Sequence, residues 1–209
     1  MQAKLLTAAC RCLAALFIPT IFWALALRRR VGRLFLENEA LRALSVRDTL
    51  TGLVNHEGFE VRLDAEFIQA GRSRRPLSVV VAAIDHFETL GDLGGAHRSD
   101  RYIVDVARAL ESVVRKDSDL IARCGEEDFA LVVPGADNAA ALALAERLRR
   151  SVHEIRLSHR GSSRDDHVSI SVGTATFEPG QEGSPASLMA AADKALRRAR
   201  AFGGNRVAA

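Results

Sequence analysis

The residues able to do chemistry in this chain are mainly carboxylates, and they gather at two places. Glu126, Glu127 and Asp128 stand between the short apolar runs Leu120–Ala122 and Phe129–Val133, and Asp85 follows the apolar run Leu77–Ile84. Two short apolar runs around a polar stretch predict a β-hairpin, which places the three acids at its tip, facing solvent or a ligand. Carboxylates hold hard divalent cations and repel phosphate, but an acidic turn also describes a plain solvated tip. Cys10, Cys12 and Cys124 have no metal-site spacing and are too few for a disulfide scaffold, and His86 and His97 have no partner at ligand spacing. Cys124, just before the tip, reads as a small side chain rather than a redox switch.

The elements that must position these groups follow from periodicity. Asp48-Thr49-Leu50-Thr51-Gly52 is a turn-forming cluster, and Glu57–Gly71 predicts an amphipathic helix with Phe59, Leu63, Phe67 and Ile68 on one side. Leu77–Ile84, a continuous run of Val and Ala, predicts a strand buried on both faces, with Asp85 at its C-terminal end. Asp100–Val114 has helical spacing, and further helices are expected over Asn138–Ile155 and Pro185–Ala201, the last stopping at Gly203-Gly204. His167–Phe177 predicts another strand. Single strands alternating with helices around a hairpin indicate an α/β (α+β) sandwich, with a mixed or antiparallel sheet flanked by helices.

Composition bounds the possibilities. The chain has 209 residues, 48% hydrophobic and 26% charged, which excludes a wholly disordered or collagen-like protein and leaves little room for two full domains. The net charge of +3 invites a nucleic-acid reading, but six of the 29 basic residues lie before residue 34 and no acid precedes Glu37. The remainder carries 23 basic against 26 acidic residues, a balance of −3, so no nucleic-acid partner is expected. Residues Leu5–Leu27 are apolar apart from Arg11 and small polar groups, and as a helix they reach roughly 34 Å, enough to span a bilayer. Arg28-Arg29-Arg30 and Arg33 directly follow and set the orientation, with the C-terminal part in the cytoplasm. A cleaved signal peptide is the competing reading, through Ala24-Leu25-Ala26, and the positive charge after it opposes export. The expected organisation is therefore an anchor over 1–30, a linker helix over 31–47 and a folded domain over 48–207. In the linker Val31, Leu34, Asn38 and Leu41 have coiled-coil spacing, so a homodimer and a simple connecting helix are both open.

Five collinear segments carry a family likeness. They are Asp48-x-Leu50-Thr51-Gly52-Leu53-x-Asn55, Ile84-Asp85-His86-Phe87, Arg123-x-Gly125-Glu126-Glu127-Asp128-Phe129, Ser169-x-Ser171-x-Gly173 and Ala192-Asp193-Lys194-Ala195-Leu196, with Asn205-Arg206 behind them. In order and gaps the chain resembles the GGDEF domain of diguanylate cyclases, which condense two GTP molecules into cyclic di-GMP. The resemblance implies a nucleotide-cyclase-like fold with a central sheet of about five strands; taken with the apolar run Leu5–Leu27, the expectation is a bacterial inner-membrane protein with one transmembrane helix. It assigns catalysis to Glu127 and Asp128, substrate binding to Phe87, Asp100, Gly125 and Arg200, and Mg or Mn to the Ile84 carbonyl and Glu127, with Asp85 as a conceivable substitute ligand.

The same resemblance marks departures. The family's metal-binding Asp falls on Ala83, its phosphate-side Lys on Glu88, its guanine-reading Asn on Gly91, its second hairpin Gly on Glu126 and a late Arg on Gly204. If position 126 requires left-handed backbone, a side chain there costs about 1–2 kcal/mol. The inhibitory product site, R-x-x-D in the family, aligns with Lys116 and Asp119, and Lys lacks the bidentate geometry of Arg. Fold-marking residues are kept while functional positions change. The expectation is a degenerate, catalytically inactive domain acting through a protein partner or weak binding of GTP or cyclic di-GMP; the alternative is an active, dimeric cyclase using Mg or Mn.

Overall fold

The computed structural model describes residues 23, 27–30, 46–88, 96–115, 117–157 and 167–209. The chain forms two compact units, Met1–Ser45 and Val46–Ala209. In the first, Trp23 and residues 27–30 are helical and exposed. The rest of the apolar run 5–27, and the linker positions Val31, Leu34, Asn38 and Leu41, lie outside the described residues. Among the described residues no helix is long and apolar enough to cross a membrane.

The second unit runs α1 (His56–Ser73), β1 (Leu77–Ile84), α2 (Ala96–Val113), β2 (Leu120–Arg123), β3 (Asp128–Pro134), α3 (Asn138–Glu154), β4 (Ile170–Phe177), α4 (Pro185–Ala201) and β5 (Val207–Ala208). The five strands form one sheet in the order β2-β3-β1-β4-β5. Strand β1 pairs antiparallel with β3 and β4, β2 with β3 as a hairpin, and β5 adds to β4 in parallel, so the sheet is mixed. Every residue of β1 is buried, as a run of apolar residues interrupted only by Ser78 predicts. Alternate side chains face opposite layers: Val80, Ala82 and Ile84 pack with Ile103, Leu110 and Leu148 of α2 and α3, whereas Val79, Val81 and Ala83 pack with Phe59 and Leu63 of α1 and Leu196 of α4.

Local signals explain the helix ends. Asn55 caps α1 by accepting from Gly58 N–H at 2.9 Å, and Ser184 forms a capping box with Ser187 ahead of Pro185. Helix α1 passes its expected end at Gly71 and stops at Ser73, where Arg74 turns left-handed (φ 52°) and its N–H closes on Ala70 O. A glycine lowers helix propensity by only about 1 kcal/mol, so the cap, not Gly71, ends the helix. Helix α2 starts at Ala96 rather than Asp100, because its first turn lacks the apolar repeat that marks the remainder. The β4 ladder starts at Ile170 rather than His167, and β5 was not expected because two residues carry no periodicity.

Candidate functional site

Three elements converge at the C-terminal end of β1. The hairpin tip is held against it by the Ile84 N–H donating to Glu127 O at 3.2 Å, and closes on itself through Cys124 N–H to Asp128 O at 2.9 Å. The last turn of α4 supplies Arg200 from the other side. Between them lies a cleft of about 340 Å³ whose lining includes Asp85, Phe87, Glu88, Glu127, Arg200 and Gly204.

Arg200 Nη2 donates to Glu127 Oε1 at 2.5 Å and to the Ile84 carbonyl at 3.2 Å. The two groups that the resemblance assigns to a metal thus share one guanidinium nitrogen. Asp85 is buried and fully engaged: Ser169 and Ser171 hydroxyls donate to its two oxygens at 2.7 Å, and Asn205 N–H donates at 2.8 Å. Its carboxylate ties β1 to β4 and to the loop after α4. Ala83 is wholly buried on the α1–α4 face, and its side chain offers no ligand. Among the described residues no three His, Cys, Asp or Glu side chains are grouped to hold a metal ion.

The hairpin tip differs from expectation in one respect. Glu126 is exposed and is not among the described non-glycine residues with left-handed backbone, so the anticipated strain does not arise. Its carbonyl instead accepts from Arg123 Nη2 at 2.8 Å. Arg123 also donates to Asp48 Oδ2 at 3.2 Å, and Thr51 N–H and Oγ1 donate to Asp48 Oδ1 at 2.8 and 2.6 Å. Burial raises the Asp48 carboxyl, but these Thr51 bonds and the Arg123 charge outweigh it and hold it below the ordinary value. At Gly125 a Cβ would lie 2.8 Å from Asp128 Oδ2, so a side chain there would push the Asp128 carboxylate aside.

Asp128 is half-buried, and burial first, then the neighbouring Glu127, raises its carboxyl above the ordinary range. Burial, followed by the charges of Asp128 and Glu60, pushes the Cys124 thiol up to about 12, which makes it inert at neutral pH. Gly204 has φ +71°, and a Cβ there would approach the Asp85 carboxyl carbon to 3.0 Å. The late Arg of the family would therefore be strained at this position. Asp100 lies exposed on α2 and Glu88 is exposed at the cleft. Gly91 and Lys116 lie outside the described residues.

Sequence reasoning marked Ser169, Ser171 and Asn205 as motif positions without their role, and it missed Arg115. Ser169, Ser171 and Asn205 hold Asp85, and the i, i+2 serine spacing was a readable sign of two hydroxyls on one strand face. Arg115 donates through Nε and Nη2 to the two oxygens of Asp119, both at 3.1 Å, so the aspartate of the product-site remnant has a bidentate partner. The i, i+4 spacing of that pair carried the signal.

Comparison with known proteins places this geometry. Residues 45–206 match the family model described as "Diguanylate cyclase, GGDEF domain". The probable diguanylate cyclase DgcC of Escherichia coli K12 is 31% identical over 166 residues, which are 79% of this chain and 43% of that protein. The crystal structure of the GGDEF domain of DgcB from Caulobacter crescentus, in complex with c-di-GMP, matches with TM-score 0.70 and 31% identity, over 78% of this chain and 92% of that one. The diguanylate cyclase SiaD of Pseudomonas aeruginosa, solved with its activator SiaC, matches with TM-score 0.68 and 29% identity, over 91% of this chain and 72% of that one. The chain spans less than half the length of the curated relative. With five motifs in order, a mixed five-stranded sheet and a match over nearly all of Val46–Ala209, the chain belongs to the GGDEF family of diguanylate cyclase domains.

Proposed function

We propose that this chain is a cyclic di-GMP signalling protein whose GGDEF domain does not make cyclic di-GMP. It is anchored by one helix in a bacterial inner membrane with the domain in the cytoplasm, and it acts through a protein partner or by residual binding of GTP or cyclic di-GMP. The carrying observation is Ala83: the family's metal-binding carboxylate is replaced by a buried methyl group. Joining two nucleotides needs a 3′-hydroxyl deprotonated and charge on an α-phosphate stabilised, work for which the family uses Mg or Mn. The SiaD structure, solved in complex with its activator SiaC, supports a protein partner for this chain.

The second reading is an active, dimeric cyclase using Mg or Mn. It is favoured by the cyclase names of relatives at 30–31% identity and by Glu127 at the cleft. Incubating the full chain with GTP and Mg²⁺ or Mn²⁺ separates the two. The expected result is no cyclic di-GMP; robust turnover that Glu127→Ala abolishes would overturn the inactive reading. Ala83→Asp combined with Glu126→Gly then asks whether these departures suffice to explain the loss.

A further inference from the structure

The residues present do not fit the divalent metal that the family uses. A Mg²⁺ or Mn²⁺ site needs several oxygen donors turned toward one point. Here one expected carboxylate is the methyl group of Ala83. The second nearby carboxylate, Asp85, accepts from Ser169, Ser171 and Asn205. The remaining two donors, the Ile84 carbonyl and the Glu127 carboxylate, both accept from Arg200 Nη2.

We infer that Arg200 is a built-in cation that stands in for the metal and closes the site to divalent ions. A guanidinium is a permanent positive charge with donors in a planar fork, and it is weakly hydrated, so it can sit between a carbonyl and a carboxylate at little desolvation cost. The contact is partly screened from water: the Glu127 side chain is 23% exposed and that of Arg200 is 38% exposed. Arg200 is fixed at its root by the last turn of α4. The turn beyond it is tied to β1 by Asn205 N–H donating to Asp85, so the guanidinium is delivered to the same point from a rigid frame. An ion entering between Ile84 O and Glu127 would have to displace a charge already matched there, and would gain no second carboxylate. The family's lysine aligns with Arg200, and here a single guanidinium nitrogen, Nη2, reaches both acceptors.

The inference rests on the inactive reading and deepens it, and direct metal binding tests it apart from turnover. Mn²⁺ titrated into the full chain, followed by the electron paramagnetic resonance signal of free Mn²⁺, should keep its full intensity up to about 1 mM, the weak end of protein cation sites. Ala83→Asp with Arg200 in place should gain little. Ala83→Asp with Arg200→Ala should take up Mn²⁺ at least about tenfold more tightly than Ala83→Asp alone, since changes to supporting groups already move metal affinity by 10–100-fold. Arg200→Gln in place of Arg200→Ala gives the same test if the truncation unfolds the domain, and the wild-type titration needs no variant. Uptake of Mn²⁺ by the wild type that Glu127→Gln removes would overturn the inference, as would equal affinity in the single and double variants. Cyclic di-GMP formation assayed in parallel separates the two ideas. Mn²⁺ uptake without turnover overturns the built-in cation alone, whereas turnover that depends on added Mn²⁺ overturns both.

Discussion

Asp85 shows how a residue's chemistry is settled by its neighbours. By type and place it was a candidate metal ligand, yet its oxygens receive three hydrogen bonds inside the fold. Asp85→Ala would leave Ser169, Ser171 and the Asn205 N–H without their acceptor, at about 3 kcal/mol for donors stranded in a buried place. Urea unfolding should show that loss, and a smaller one for Asp85→Asn, which keeps one carbonyl oxygen; an alanine variant as stable as wild type would refute the clasp. Asp128 gives the opposite case. Its carboxyl is raised by burial and by Glu127, so between the ordinary aspartate value and its higher folded value the native state binds more protons than the unfolded chain. Stability therefore falls as pH rises through that window, and the penalty is complete above it. Asp128→Asn, which cannot ionise, should raise the melting temperature at pH 7, with the gain fading in acid. A lower melting temperature at pH 7 would show that the carboxylate earns its place through Arg200. The identity of these acids was legible in the sequence, but their partners were not, because Asp85 meets residues 84 to 120 positions away.

At the scale of elements, strong periodicity was readable and weak periodicity was not. The continuous apolar run of β1 announced a strand buried on both faces, and it is the centre of the sheet. The first turn of α2 and the two-residue β5 left no pattern, since their pairing is decided by tertiary contact. Glycine 173, within the S-x-S-x-G segment, marks where two elements meet most closely. A Cβ there would lie 2.3 Å from both Ala192 O and Leu196 N, backbone atoms of α4. Those atoms cannot rotate away, so Gly173→Ala must shift the whole helix that carries Arg200. Overpacking against backbone should cost at least about 3 kcal/mol and is expected to lower the urea midpoint sharply. A loss below about 1 kcal/mol would mean that α4 slides easily on the sheet, and the rigid delivery of Arg200 would fail with it.

For the whole molecule, the partition of charge carries more than its total. The basic surplus sits in residues 1–33 and the remainder is slightly acidic, although the chain as a whole is +3. A nucleic-acid-binding domain would carry its excess on its folded surface, whereas an anchor carries it beside an apolar run. The acidic side of the balance includes Glu88 and Glu126, which sit in or next to the cleft segments where the family has lysine or glycine, and which would repel a triphosphate. On the proposed inactive reading, the same partition that proposes a cytoplasmic face at Arg28–Arg30 would also lower the affinity of the domain for GTP. The localisation is open to direct test. The full chain should sediment with membranes and resist extraction by alkaline carbonate, while a chain beginning at Val46, the start of the second compact unit, should appear in the soluble fraction. A reporter that is active only in the periplasm should be silent when fused after Ala209. Signal from that fusion, or release of the full chain by carbonate, would remove the anchor and with it the reading of Arg28, Arg29, Arg30 and Arg33 as a topology signal.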